Sequence, residues 1–162
     1  MMTVTEELEP TPVSAEQLVE ITQAVWQSFV GIELEPIAGD TLRFGEDGTS
    51  HIDGVVQIAG AQQAMVLVQG TSQLALDATC AMFAMEPDEV TDGELADAFG
   101  EVTNMIGGNI KGLYEGVNQL SLPTVTRGRD HEVLSPGTSL VDVADFDCRG
   151  ERLRVSVWRP GP

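Results

Sequence analysis

The chain has 162 residues, enough for one domain that buries about 70% of the surface its unfolded form would expose. Its 42% apolar and 21% charged residues exclude wholesale disorder and a fibrous class. The net charge of −18 is uneven: residues 1–126 hold 20 of the 26 acids but only 2 of the 8 bases, a field that repels nucleic-acid phosphates and anionic lipid.

No apolar run reaches the roughly 18 residues of a membrane span. The N-terminus MMTVTEELEP is acidic where a secretory signal would be basic and then apolar. These features give the expectation of a cytoplasmic protein with no membrane or nucleic-acid partner. Cys80 and Cys148 stand without a Cys or His at metal-ligand spacing and read as two free thiols.

Residues 1–13, ending in Pro10-Thr-Pro12, show no period and read as a flexible acidic tail, leaving 14–162 as a single domain. Ser14 with Gln17 fits a capping box. Leu18, Ile21, Val25 and Phe29 then recur at three- and four-residue steps, predicting a first helix that ends near Gly31. Short strands are expected at Ile32 to Pro36 and at Thr41 to Phe44. Ser50 to Ile58 and Ala64 to Gln69, both rich in β-branched residues, read as a hairpin. Ser72 is placed to cap a second helix with Leu74, Ala78, Ala81, Met82 and Met85 on its packed side and Glu86-Pro87 as its stop.

Thr91 with Glu94 forms another capping box and opens a third helix that runs to about Tyr114. Three strands follow: Leu122 to Thr126, Ser139 to Phe146 and Leu153 to Trp158, the last two joined by Cys148-Arg-Gly-Glu151. Leu153, Val155 and Val157 alternate with Arg152, Arg154 and Ser156, which predicts a strand with one face in water. The class is therefore α+β, with helices layered on a mostly antiparallel sheet.

The third helix is where a functional face is expected. At about 100° per residue, Leu95, Phe99, Val102, Ile106, Ile110 and Leu113 share one stripe that can face a sheet. Opposite lie Asp97, Glu101, Asn104, Gly108, Lys111 and Glu115, so that a carboxylate and a carboxamide three residues apart project side by side into solvent. Gly100, Gly107, Gly108 and Gly112 each cost a helix about 1 kcal/mol relative to Ala. One reading is a docking face around Glu101 and Asn104, left bare so that another surface can come close. The alternative is backbone packing inside the domain beneath a solvated face.

The segment Asp97-Ala-Phe-Gly-Glu101-Val-Thr-Asn104-Met-Ile-Gly-Gly-Asn109-Ile-Lys111 resembles the signature helix of the CheX/CheC/FliY phosphatases. His51 to Gly60, Ser121-Leu-Pro123-Thr-Val125 and the terminal hairpin are similar to the corresponding parts of CheX-like domains, and the resemblance covers about 110 residues, from roughly 50 to 158. The family motif sets an Asp or Ser, then a Glu, then an Asn, and later a Pro; Asp97, Glu101 and Asn104 fit it. Pro123 follows Asn104 after 18 residues, a few fewer than the family pattern. One copy of the signature, where CheC chains carry two, places the chain beside the CheX branch, whose members form homodimers.

The resemblance implies hydrolysis of the aspartyl phosphate of a CheY-like receiver domain, with the receiver supplying Mg²⁺ and this chain needing no cofactor of its own. It implies that Asn104 holds the attacking water and that Glu101 pairs with a receiver lysine, making these the catalytic pair. Asp97, Gly100, Gly108 and Lys111 would be partner contacts. Asn109 falls toward the core side of the wheel and, despite its family-like position, reads as a structural hydrogen-bonder. A non-catalytic docking module using the same helix, and a purely structural dimer module, stay open as alternatives. His51 and His131 lack a second ligand nearby, and Trp26 and Trp158 read as packing residues. Phosphate-binding loops, serine-hydrolase elbows and dinucleotide fingerprints are absent from the sequence.

Overall fold

The computed structural model describes residues 13–38, 44–45, 48–129 and 136–161. Residues 1–12 of the tail, the Thr41 to Phe44 strand apart from Phe44 itself, and His131 lie outside them. Val13, assigned to the tail from sequence, is buried in the core.

In chain order the elements are α1 (Ala15–Phe29), β1 (Glu35–Ile37), β2 (His51–Gly60), β3 (Ala64–Thr71), α2 (Ser72–Phe83), a 3-10 turn (Pro87–Glu89), α3 (Asp92–Lys111), β4 (Asn118–Leu120), β5 (Thr124–Gly128), β6 (Thr138–Cys148) and β7 (Glu151–Pro160). The α+β class holds: among the described residues three helices pack against a seven-stranded antiparallel sheet. Its strand order is β1-β6-β7-β3-β2, with β4 and β5 both pairing with β2 on its outer side.

Local chemistry sets the helix ends. Ser14 and Gln17 exchange reciprocal bonds of 3.0 and 3.1 Å at the start of α1. For α2 the cap is Thr71 and not Ser72: Thr71 Oγ1 accepts the Leu74 N–H at 3.3 Å, while the Ser72 hydroxyl meets that of Ser50 at 2.6 Å. This helix stops at Ala84, in the left-handed region at φ 53°, ahead of Pro87, and Ala81 is exposed. Thr91 and Glu94 close their capping box at 3.3 and 2.7 Å. The third helix ends at Lys111 because the chain turns through Gly112 to Gly116, so Leu113 leaves the predicted core stripe and is exposed.

The helices cover one face of the sheet. Ile52, Val56 and Ile58 of β2, Val66 and Val68 of β3, and Leu153, Val155 and Val157 of β7 form a core with Trp26, Leu74, Phe99, Val102, Ile106 and Ile110. Each such side chain contributes about 1.5–3 kcal/mol by leaving water. The β6–β7 hairpin turns through Arg149 and Gly150, both at positive φ.

The opposite face differs from expectation. Ser156, predicted to face water, is buried, as are His51, Asp53 and Asp145. Arg154 is half-buried because its guanidinium is held by Asp145 in a two-pronged pair, Nε to Oδ1 at 2.7 Å and Nη2 to Oδ2 at 3.1 Å. Trp158 Nε1 donates to Ser156 Oγ at 2.9 Å. Strict alternation along β7 thus separates two packed faces, one apolar and one polar. Among the described residues no helix is long and apolar enough to cross a membrane.

Candidate functional site

The site is built on α3, which lies over β2 with β4 and β5 along one flank. Two missing side chains bring the helix onto the sheet. Gly54 of β2 makes room for Thr103, whose hydroxyl donates to the Phe99 carbonyl at 2.8 Å, and Gly107 leaves no space for a Cβ against Val56 and Leu120. The glycine signal therefore has two origins. Gly107 is required by packing inside the domain, and Gly112 is the C-cap residue of the helix. Gly100, expected from sequence on an open docking face, is instead buried against Pro123 and Val125, whereas Gly108 is half-buried with space around it. A Cβ on Gly100 would meet Pro123 and Val125 at an ordinary 3.5 Å, and one on Gly108 would find only Leu120, at 4.0 Å.

The outer face of α3 carries the residues singled out from sequence. Asp97 and Glu101 are exposed; Asn104, Gly108 and Lys111 are half-buried. Among the described residues, no hydrogen bond or ion pair engages the side chains of Asp97, Glu101, Asn104 or Lys111. A shallow cleft of ≈ 480 Å³ opens beside them, lined by Ala96, Asp97, Gly100, Glu101, Pro123 and Val125. Asn109 is exposed and does not point coreward; its Nδ2 donates to the Met105 carbonyl at 2.8 Å, tying it to its own helix.

Chemically, this face offers a carboxamide able to donate and accept at once, next to a carboxylate able to pair with a cation. It offers no hydroxyl or thiol nucleophile, since Thr103 is buried and bonded to the helix backbone. His51 and Asp53 stand 3.5 Å apart on the far side of the sheet. Among the described residues no group of three His, Cys, Asp or Glu side chains is placed to hold a metal ion.

The flank of the helix holds residues that sequence reading did not single out. Leu122, taken there as the first residue of a strand, is 89% exposed, and Val117 is 83% exposed. The strand is split: β4, unforeseen, ends at Leu120 and β5 starts only at Thr124. Val55 pairs with Thr124 and Ile58 with Leu120, so three residues, Ser121 to Pro123, oppose two, Val56 and Gln57. That is a bulge in the outermost strand. Pro123 was the available signal, because a proline cannot donate to a ladder and marks a break at an edge.

A sequence search of curated proteins finds no match. Among solved structures, the fold is similar to that of CheX from Borrelia burgdorferi in a CheX–CheY–BeF₃–Mg²⁺ complex, with a TM-score of 0.73 at 18% identity over 91% of this chain and 99% of that one. It is also similar to the chemotaxis protein CheX of Desulfovibrio desulfuricans, with a TM-score of 0.67 at 23% identity over 88% and 96% of the two chains. CheX from Vibrio vulnificus gives a TM-score of 0.68 at 18% identity over 86% and 91%. The family model described as chemotaxis phosphatase CheX matches residues 52–146, more than half the chain and the whole of α3, and the chain belongs to that family.

Proposed function

We propose that this chain is a phosphatase that docks on the phosphorylated, CheY-like receiver domain of a response regulator and hydrolyses its aspartyl phosphate, ending a two-component signal in the cytoplasm. The observation that carries this reading is Asn104: half-buried, engaged by no other described side chain, and on the same helix face as the exposed Glu101 and the half-buried Gly108, where a Cβ would have space. The solved CheX–CheY–BeF₃–Mg²⁺ complex from Borrelia burgdorferi supports the choice of partner.

Phosphoryl transfer from an acyl phosphate needs positioning and charge neutralisation more than covalent chemistry. The receiver brings the phosphoryl group and the Mg²⁺ that neutralises it. Asn104 accepts a hydrogen bond from the attacking water through Oδ1 and holds it in line with phosphorus, a gain of orientation. An aspartate there could only accept, and its charge would repel the phosphoryl oxygens. Glu101 pairs with the receiver's lysine and fixes the register in which Asn104 enters. Asp97, Gly108 and Lys111 complete the contact. Protomers of this chain pair as a homodimer, as the single CheX-like signature implies.

One observation favours a second reading, a docking module without catalysis. The net charge of −18 opposes approach to an acidic receiver site unless salt screens it. Phosphate release from an acetyl-phosphate-charged receiver decides between them. The parent protein is expected to accelerate release and Asn104→Ala to lose about 100-fold of that acceleration or more while staying folded. Full activity in Asn104→Ala would refute the mechanism, and binding without acceleration by the parent would establish the docking module.

A further inference from the structure

We infer that Leu122 is an apolar anchor for the receiver, seated in a depression beside the receiver's phosphorylated aspartate; this rests on the functional reading above. The position of Leu122 follows from its neighbours. Pro123 packs at Gly100 and Leu120 at Gly107 and Gly108, so the residues between them run level with Thr103 and Asn104. On the wheel of α3, Asn104 lies 40° from Gly100 and Glu101 lies 100° from it, at about 100° per residue. Asn104 is therefore the one of the pair nearer to the bulge. A molecule that presents its reacting group to Asn104 from the side of the bulge would come over Leu122.

The leucine is held out by its surroundings. Ser121 is fixed on one side: its N–H donates to the Gln57 carbonyl at 2.9 Å and its Oγ accepts the Gln57 N–H at 2.9 Å. Pro123 is fixed on the other by its packing at Gly100 and by the ladder that resumes at Thr124. The extra residue of the bulge thus points a large apolar side chain into water with 89% exposure. Single exposed leucines are common, but this one runs level with Asn104 on the flank of α3, and the Asn104 and Glu101 side chains also lack partners among the described residues.

Burying a leucine contributes enough that its loss weakens binding about 10- to 100-fold. The test uses the purified receiver domains of the same organism, charged with acetyl phosphate for rates and with beryllofluoride and Mg²⁺ for titration. Leu122→Ser is expected to raise the half-saturating concentration of phosphorylated receiver by that factor with the rate at saturation unchanged, and Leu122→Met to restore it. Asn104→Ala is expected to do the reverse, lowering the saturated rate with little change in half-saturation. Equal half-saturation for the parent and Leu122→Ser, in a parent that is active, would overturn the anchor and leave the phosphatase reading standing. A change in sedimentation of Leu122→Ser in place of a change in receiver affinity would assign the leucine to contacts between copies of this chain and overturn it as well. A parent that neither binds nor dephosphorylates any receiver would remove the functional reading and the anchor together.

Discussion

Gly107 of α3 and Val56 of β2 meet with no room between them: a Cβ on the glycine would stand 2.5 Å from the valine Cγ2. One residue further on, Gly108 has space. Gly107→Ala is expected to destabilise the fold by about 1–3 kcal/mol, because helix or sheet must shift. Gly108→Ala is expected to stabilise it by about 1 kcal/mol through helix propensity, yet to weaken receiver binding. Denaturant unfolding of both variants beside the parent checks the first pair of signs, and a destabilised Gly108→Ala would place that glycine among the packing residues.

Charge reversal at Glu101 tests docking apart from chemistry. Glu101→Lys is expected to lower affinity for the beryllofluoride-loaded receiver about tenfold or more, and to change the salt dependence of binding, since a pair with a receiver lysine becomes a repulsion. Titration at two ionic strengths measures both. Unchanged affinity would dismiss the ion pair.

The start of α3 depends on one hydroxyl. Thr91→Ala removes the acceptor for the Glu94 N–H and is expected to cost about 1 kcal/mol, read as a lower denaturation midpoint with unchanged saturated rate. Glu94→Ala, which frees the Thr91 N–H, should act in the same direction.

Burial pushes the Cys148 thiol above its ordinary value of 9.0, burial and then the nearby Asp77 and Glu86 push up that of Cys80, and burial raises the Tyr114 hydroxyl above 10.0. Between the unfolded and folded values the folded chain holds more protons, so stability is fully present below about pH 9 and falls as pH rises through that window. Urea midpoints are expected to drop between pH 8 and pH 10. The slope should flatten in Cys148→Ala, and an unchanged slope would remove Cys148 as a contributor.

Much of this molecule was legible in its sequence where a pattern is local. The capping boxes at Ser14/Gln17 and Thr91/Glu94, the β2–β3 hairpin, and the polar outer stripe of α3 all depend on residues a few positions apart. What escaped depends on contacts between distant segments. Thr71 takes the α2 cap because Ser72 is drawn to Ser50, 22 residues away. Ser156 is buried because a second face of the sheet is packed, which alternation along one strand cannot reveal. The four glycines of α3 look alike in sequence; only the neighbouring strands distinguish Gly107, which must be bare, from Gly108, which need not be.

The three-against-two mismatch at Ser121 to Pro123 also governs how a visitor can approach. An uninterrupted outer strand would offer a ready row of amides and carbonyls onto which an extended segment of any chain could zip. Here that row is broken at Ser121 to Pro123. On the proposed reading, a receiver would meet side chains across the helix, in place of a continuous strand edge.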